Sequence, residues 1–441
     1  MVPRLGSRAR AALAALAALA VSFSARADEA PEDARLAQAL DRDLAVRIAV
    51  DRNPGLKASV QRALGIRALA DAEGRLPPPE LSFDIWQVPF VHPVSFGDAQ
   101  MISVGLRQMF PAPGSLSAHE EASAKMADVE LLMSQDRSRE LVRAVDHALV
   151  DLEEAVAMED SHLSHKNVAA ELEQIAIARQ AGGGPLSDVA QARVDVASFE
   201  ADASSQAAAG MKARVLLNAL LSRPADASLA RPSLPSPTTV GTSVVDLVSL
   251  ARKNRPELRA AEARDQAQRA SLRAADREAL WPALSLGIMY FAPTTLMPEH
   301  GYGLSASMSL PWLWGAASRR YDGQEKLARA AALDTSDAQY RIGVDVATAF
   351  GAVKASEARL IVLVGRALPA SKQAVDVALS SYRSGQGDVL SLLRAERAVV
   401  DAELQIIMTR VALEHALVDL DWAVGARAPR APVAGLAGGT P

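Results

Sequence analysis

Two histidines lie three residues apart in a long polar stretch of the chain, beside two acidic residues. His162 and His165 follow Glu159 and Asp160. Imidazole and carboxylate groups at helical spacing can share a divalent metal ion. On a long exposed helix, however, such side chains usually form a solvated face. We therefore expect these four residues to face water and to hold no metal.

The glycine run at 182–184 has the composition of a phosphate-binding loop but lacks the context of one. It follows a helical stretch rather than a strand, and no Lys-Ser/Thr pair comes after it. A helix C-terminal turn is the better interpretation. The chain has no cysteine, no G-x-S-x-G and no H-E-x-x-H. We therefore predict no enzyme activity and no cofactor.

The chain contains one pattern twice, with the copies about 200 residues apart. Pro54 corresponds to Pro256, and Gly182 corresponds to Gly385. A self-match over most of a chain indicates a duplicated architectural unit. The first copy reads RNPGLKAS at 52–59, PELSFDI at 79–85, QMFPAPGS at 108–115 and RQAGGGPLSDVAQA at 179–192. The second reads NRPELRAA at 254–261, PALSLGI at 282–288, SLPWLWGA at 309–316 and YRSGQGDVLSLLRA at 382–395.

Long helices are predicted to dominate both copies. Residues 115–181 and 316–384 show helical spacing of apolar residues and contain no proline apart from Pro369. Each stretch would reach about 100 Å at 1.5 Å per residue, so these helices must extend outward as a bundle. Shorter helices are predicted at 36–76, broken at Asn53-Pro54, at 244–280, broken at Arg255-Pro256, and at 186–222 and 388–425.

Four short segments alternate between apolar and small polar residues, as strands of a transmembrane barrel do. They are residues 81–90, 101–110, 283–291 and 302–310. A small soluble β-sandwich is the alternative, but four strands in a helical chain do not build one easily. The residues predicted to face lipid are Leu81, Phe83, Ile102, Val104, Leu284, Leu286, Ile288, Leu304 and Leu310.

The aromatic residues support a membrane location for the strands. Eleven of the 18 Phe, Trp and Tyr residues fall within 80–110 and 281–314, and aromatic girdles mark the ends of membrane strands. Four strands cannot close a barrel, for which about eight is the practical minimum. The sequence therefore predicts a ring of identical chains that share one barrel.

The first 27 residues have the features of a secretory leader. Basic residues precede an apolar run at 11–23, and Ala25-Arg26-Ala27 resembles a cleavage site; a membrane anchor is the alternative. Removal of residues 1–27 deletes four arginines, which lowers the formal net charge of −5 by four units to −9. An acidic chain is a poor partner for nucleic acid. No later apolar run is long enough for a membrane helix.

The chain resembles the outer membrane efflux protein family, the TolC-like factors. The resemblance lies in the order of its motifs: the duplicated halves, the helix breaks N-P-x-L and R-P-E-L, the F-P-x-x-G and L-P-x-x-W-G that end the strand pairs, and the turns R-Q-A-G and Y-R-S-G. The resemblance covers about 36–425. It implies a homotrimer with a 12-stranded barrel in outer-membrane lipid and a helical tunnel in the periplasm. It further implies docking to a periplasmic adaptor protein fed by an inner-membrane efflux transporter. The short strands and the W-G resemble the heavy-metal efflux subgroup.

The resemblance also implies that the two turns between long and shorter helices form the periplasmic tip. Many relatives carry acidic residues just past the second turn, whereas this chain has Ser391 and Arg394 there. A mixed constriction by Asp188 and Arg394 is one interpretation, and plain capping of the turns is the other. The residues expected at the tip, as gate or adaptor-docking surface, are Gly182, Asp188, Tyr382, Gly385, Asp388 and Arg394.

We therefore expect a mainly α chain with a small β part, in two repeats. Residues 28–225 form the first repeat with its tip turn at 179–188, and residues 244–425 form the second with its tip turn at 382–394. A Pro/Ser-rich connector covers 226–243, and residues 426–441 are expected to be disordered. The alternative function is a periplasmic coiled-coil adaptor or scaffold, which would share the leader and the helical hairpins but would not need the strands.

Overall fold

The computed structural model describes residues 32–88, 90–91, 96–384, 386–387 and 389–434. Within them the chain is mainly helical, as predicted, with one four-stranded and one two-stranded sheet. The predicted leader at 1–27 lies outside the described residues. No described helix combines the length and apolar character needed to cross a membrane.

The chain divides into two compact units. Unit 1 contains the described residues up to Pro54, Ser138–Asn254 and those from Gly343 onward; unit 2 contains Gly55–Arg137 and Arg255–Ile342. The helices, in chain order, are α1 (32–38), α2 (Arg42–Arg52), α3 (Pro54–Glu73), α4 (Ser115–Ala181), α5 (Leu186–Leu220), α6 (Val244–Asn254), α7 (Pro256–Leu280), α8 (Ala316–Val362), α9 (Leu368–Arg383) and α10 (Val389–Val424).

The two predicted helix breaks are confirmed. Asn53 and Arg255 each adopt an extended backbone, with ψ of 115° and 120°, because a following proline disfavours the helical conformation. Pro54 and Pro256 then start the next helices, where the missing N–H removes no helical hydrogen bond.

The two long stretches differ in regularity. Helix α4 is continuous over 67 residues, because no proline interrupts it. In the second repeat, helix α8 passes into a π turn at Leu363–Ala367 before α9 begins. Pro369 lacks an N–H, and its ring would clash with the carbonyl four residues earlier in an α-helix. The wider π turn accommodates that ring.

Apolar side chains from several helices form the core of unit 1. Leu36 of α1, Ile48 of α2, Leu152 of α4 and Leu217 of α5 are buried in one cluster. Burial of these apolar side chains supplies the main favourable free energy of the bundle. The same principle operates near the ends of α4, α9 and α10, where a second cluster forms.

The four-stranded sheet lies in unit 2. Its strands are β1 (Glu80–Trp86), β2 (Met101–Phe110), β4 (Leu284–Ala292) and β5 (Gly301–Met308), antiparallel in the order β1-β2-β4-β5. Strand β1 is shorter than the predicted 81–90, because Gln87 adopts a positive φ of 53° that ends the extended backbone. Strand β5 ends two residues before the predicted position 310.

The expectation of a disordered tail is wrong for residues 430–432. Strand β6 (Arg430–Pro432) pairs antiparallel with β3 (Thr238–Val240), which lies in the predicted connector. Arg430 donates to Asp421 at 2.7 Å, and the Val433 side chain is buried. A composition rich in Pro, Ala and Gly predicts disorder, but it does not account for a distant strand that can pair with the segment. Residues 435–441 lie outside the described residues.

Candidate functional site

One face of the four-stranded sheet is almost entirely apolar. Directly paired residues of an antiparallel sheet point to the same side, as do alternate residues of one strand. The register pairs Phe83 with Val104, Val104 with Tyr290, and Ile288 with Leu304. This apolar face carries eight of the nine residues predicted to contact lipid: Leu81, Phe83, Ile102, Val104, Leu284, Leu286, Ile288 and Leu304.

The apolar face is the exposed one within this chain. Phe83 is 71% exposed and Leu304 is 77% exposed. Leu310, the ninth predicted residue, is also exposed but follows the end of β5, so it is not on the sheet. A contiguous exposed apolar surface of this kind marks contact with a membrane or another protein.

The opposite face is richer in small and polar residues. Gly105 and Gly287 lie on this face, where a Cβ would approach the Ser82 Oγ at 2.7 Å and the Ser305 Oγ at 2.6 Å, respectively. Ser103 is only 2% exposed, so small residues allow this side of the sheet to be crowded. Met289 and Phe291 also lie on this face and depart from the alternation.

The two predicted tip turns lie beside each other in unit 1. The Arg179 guanidinium stands 4.5 Å from the centroid of the Tyr382 ring, a cation–π contact between the end of α4 and the end of α9. Tyr382 is buried with Leu172 and Leu392. Gly182 donates its N–H to the carbonyl of Arg179 at 3.0 Å, as a helix C-terminal turn requires.

A contact between Asp188 and Arg394, one of the two interpretations of the tip, is absent from the described part of this chain. Asp188 is half-buried and Arg394 is exposed, and neither side chain forms an ion pair among the described residues. The Tyr382 hydroxyl is buried without a hydrogen-bond partner there. A contact between Asp188 and Arg394 of different protomers stays a prediction. Gly385 and Asp388 lie outside the described residues.

Sequence reasoning missed an ion pair near the tip. Arg397 of α10 donates to Asp195 of α5 at 2.8 Å, and Asp195 is only 4% exposed. The two residues are 202 positions apart, so the duplication offset itself was a usable signal: corresponding helices of the two repeats lie side by side.

The expectation that His162 and His165 face water is wrong. Both are buried on α4, and their rings lie 6.5 and 5.9 Å from that of Phe199 on α5. His165 Nε2 is 3.2 Å from a carboxylate oxygen of Glu403. Burial lowers the pKa of His165, although Glu403 acts in the opposite direction. These histidines pack between helices because a helix in a bundle has more than one covered face.

A second pair of histidines, also missed, joins α4 to α10. The Nδ1 atoms of His147 and His415 are 2.6 Å apart, and their rings stack at 4.9 Å. His147 Nε2 is 2.9 Å from Asp419, and His415 Nε2 is 3.2 Å from Asp151. The spacing of His147 and Asp151 marks one face of α4, but nothing local in the sequence indicates His415.

Three described residues of this group have the composition of a metal site. Potential ligand atoms of Asp151, Glu154 and His415 all lie within 4.8 Å of one another. Burial raises the pKa of Glu154, and the neighbouring charge of Asp151 raises it further. Burial and His147 lower the pKa of His415, which favours the neutral imidazole that binds metals.

Several solved structures share the fold of this chain. The outer-membrane channel OprN matches with a TM-score of 0.73 and 23% identity, over 89% of this chain and 91% of OprN. VceC of Vibrio cholerae matches with a TM-score of 0.73 and 18% identity, over 88% and 97%. CusC matches with a TM-score of 0.72 and 19% identity, over 87% and 92%. A search of curated protein sequences finds no match.

A sequence family is matched by the second half of the chain. Residues 247–426 match the family described as Outer membrane efflux protein. The match covers α7 to α10 with β4 and β5, the half that carries the second tip turn. The family description includes the location that the sequence predicted, the outer membrane. Residues 247–426 thus match the outer membrane efflux protein family, within a chain that shares the fold of solved outer-membrane channels over 88–89% of its length.

Proposed function

We propose that this chain is the outer-membrane channel of a tripartite efflux assembly. In this role it is a passive exit duct for substrates that an inner-membrane transporter delivers through a periplasmic adaptor protein. The observation that carries the proposal is the sheet of unit 2, whose apolar face is exposed and whose two outer strands each pair on one side only.

The apolar face fits contact with lipid. Large side chains such as Phe83, Ile288 and Leu304 are exposed in a row across adjacent strands. Exposure of such a surface to water is unfavourable in proportion to its area, whereas hydrocarbon accepts it. Serines and glycines on the opposite face suit a water-filled interior.

The two sheet edges fit a ring of three chains. Strands β1 and β5 stand at the ends of the strand order, so each has an unpaired row of backbone groups within the described chain. Unpaired backbone groups are costly in lipid. Four strands are too few to close a barrel, and three copies would supply twelve. Pairing β5 of one protomer with β1 of the next satisfies both edges.

The sheet argues against the alternative of a periplasmic adaptor. An adaptor would need one helical hairpin between β-rich segments, whereas this chain has two hairpins, α4 with α5 and α9 with α10. An adaptor does not need an exposed apolar sheet face, whereas a membrane strand does. Assignment to the heavy-metal subgroup is based on the short hydrophobic strands and the W-G after β5, and it stays a prediction.

The two turns beside each other in unit 1 are the proposed periplasmic tip. The Arg179–Tyr382 contact and the Asp195–Arg397 ion pair join the two hairpins within a chain. Asp188 and Arg394 make no such contact within the described chain, so they remain available to a neighbouring protomer or to the adaptor. Exposed ion pairs contribute about 1 kcal/mol or less, which suits a closure that an adaptor must open.

The proposal predicts that the purified full-length protein forms ion-conducting channels. Detergent-solubilised protein should insert into planar lipid bilayers and produce discrete conductance steps, because the polar face would line a continuous aqueous path. Folded protein that never conducts would contradict a channel function.

The same recordings test the tip residues. The double substitution Asp188→Ala with Arg394→Ala should raise the single-channel conductance if these side chains clasp neighbouring protomers at the entrance. The matched control is Asp202→Ala with Arg214→Ala, a pair of the same charges elsewhere on α5. Equal conductance in wild type and double variant would assign the two residues to adaptor docking alone.

A further inference from the structure

A chain of polar contacts connects α4 to α10 inside unit 1, away from the tip turns. It runs from Asp419 to His147 at 2.9 Å, from His147 to His415 at 2.6 Å, and from His415 to Asp151 at 3.2 Å. Arg143 holds the first end, because its guanidinium lies 2.8 Å from the same oxygen of Asp419. Among the described residues, no arginine or lysine holds the other end, Asp151.

The number of protons does not match the number of contacts. A neutral imidazole carries one N–H, so His147 and His415 together provide two protons for three contacts. The short contact between the two Nδ1 atoms requires one of them, since two lone pairs at 2.6 Å would repel. When both imidazoles are neutral, only one of the two outer contacts can contain a proton.

The geometry favours the contact with Asp419 for that proton. The distance there is 2.9 Å, against 3.2 Å at Asp151. His147 then donates from Nε2 to Asp419 and accepts at Nδ1 from His415. This arrangement leaves the Nε2 lone pair of His415 directed at a carboxylate oxygen, a repulsive contact unless a cation lies between them.

A second carboxylate converges on the same point. Glu154 lies one helical turn after Asp151, so both project from the same face of α4. Their oxygens and a ring nitrogen of His415 lie within 4.8 Å of one another. Two carboxylates and an imidazole lone pair in this space create a negative electrostatic potential that attracts a cation.

We propose that Asp151, Glu154 and His415 bind one divalent cation of the zinc class, which would bridge α4 and α10. Zinc takes imidazole and carboxylate ligands at about 2.0–2.2 Å, with water in an open position. An Asp151 oxygen and His415 Nε2 are already 3.2 Å apart, so only the most distant of the three ligand atoms must move closer, by about 1 Å, to reach such geometry. The nitrogen ligand disfavours magnesium and calcium.

His147 and Asp419 act as positioning residues for this site. A metal-binding histidine commonly donates its other ring N–H to a fixed acceptor, which sets its tautomer and orientation. Here His415 donates from Nδ1 to His147, and His147 donates in turn to Asp419, which Arg143 fixes. The relay keeps the Nε2 lone pair of His415 pointed at the two carboxylates.

The first experiment measures zinc binding to the full-length protein without a polyhistidine tag. Metal is removed with a chelator, and Zn²⁺ is titrated by isothermal calorimetry in detergent. We expect about one ion per chain, and a loss of affinity on the order of ten-fold or more in Asp151→Asn with Glu154→Gln. The matched control is Glu159→Gln with Asp160→Asn, an acidic pair on the same helix that contacts Arg231 instead.

Two further variants separate ligation from a folding defect. Asp151→His should raise zinc affinity on the order of ten-fold, because imidazole is the stronger zinc ligand and the residue is exposed. Asp419→Asn should lower it by roughly 10–100-fold at unchanged helix content by circular dichroism. The proposal would be overturned if wild type bound no Zn²⁺ at about 1 mM, or if Asp151→Asn with Glu154→Gln bound Zn²⁺ as tightly as wild type. In either case a proton, not a metal ion, would lie between His415 and Asp151.

Discussion

The pKa of Glu153 on α4 depends on how the helices of unit 1 pack around it. This pKa is raised to about 7, mainly by burial and in smaller part by the negative charge of Glu414, while Arg42 opposes the shift. The neighbouring carboxylate Glu414 is itself buried, and burial raises its pKa as well. Arg42 is shared with Asp146 at 2.6 Å, so it neutralises Glu153 only in part.

The raised pKa of Glu153 predicts a pH-dependent stability. The unfolded chain releases this proton near its ordinary pKa of 4.5, whereas the folded chain keeps it up to about pH 7. Stability is therefore lost as pH rises between these values. We expect Glu153→Gln and wild type to have the same unfolding temperature near pH 5, and Glu153→Gln to have the higher unfolding temperature near pH 8. The gain should be about 1 kcal/mol, because Glu153 is partly exposed and water screens its charge.

Thermal unfolding of the purified protein, followed by circular dichroism, measures this difference. Glu171→Gln is the control, since it removes an exposed carboxylate of the same helix. A difference between wild type and Glu153→Gln that is the same at both pH values would show that burial does not hold the proton.

At the scale of elements, the helices of unit 1 bury their apolar side chains, whereas the sheet of unit 2 exposes them. The helices of unit 1 bury their apolar stripes in a shared core, as in any water-soluble bundle. The strands of unit 2 expose theirs, and the small polar residues crowd the other face. The period of two residues placed eight of the nine predicted side chains on one face, because antiparallel pairing preserves alternation across the strands, whereas Leu310 follows the end of β5.

The two faces should respond differently to a new charge. Leu286→Arg and Leu304→Arg should reduce insertion into the outer membrane far more than Ser285→Arg and Ser305→Arg. A lipid-facing arginine near the bilayer midplane costs about 2–4 kcal/mol, whereas one on the opposite face is hydrated. Each serine adjoins its leucine in the same strand, so the comparison controls for depth.

Outer-membrane fractions probed by immunoblotting give the yields of the four variants. Comparable yields for the leucine and serine substitutions would mean that the apolar face does not contact lipid.

At the scale of the whole molecule, the four-stranded sheet has two edges without a pairing partner among the described residues. Strands β1 and β5 form these edges, and the unpaired backbone groups of an edge strand can pair with another chain. The protein has no cysteine, so introduced cysteines report on this pairing without background.

A ring of three chains predicts cross-links between β1 and β5 of neighbouring protomers. Ser82→Cys combined with Ser305→Cys or with Ser307→Cys places thiols on the same face of the two edge strands. Under oxidising conditions, at least one combination should form a covalent trimer on denaturing gels, since paired strands bring Cβ atoms to disulfide distance. Each single variant should remain a monomer or a dimer.

Detergent-solubilised wild type should have the mass of a trimer in the same preparation. A folded, monodisperse monomer that yields no cross-link in either combination would rule out the shared barrel.

Local patterns in the sequence determined most of the elements. Prolines at 54 and 256 predicted the helix breaks, uninterrupted helical spacing predicted α4, and alternation predicted the strands. These features depend on the backbone and on neighbours within a few residues, so they can be read from a short window. The boundary of β1 and the strand at 430–432 were missed, because a positive φ and a distant pairing partner leave no local signal.

Contacts between distant residues were decided by the tertiary structure alone. The burial of His162 and His165, the Asp195–Arg397 pair and the contact of His147 with His415 depend on which helix faces which. A helical period identifies a face but not the neighbour that covers it. The sequence by itself therefore determined a duplicated helical chain with four membrane-type strands. Only the packing of α4 against α5 and α10 could bring together the side chains whose chemistry depends on proximity.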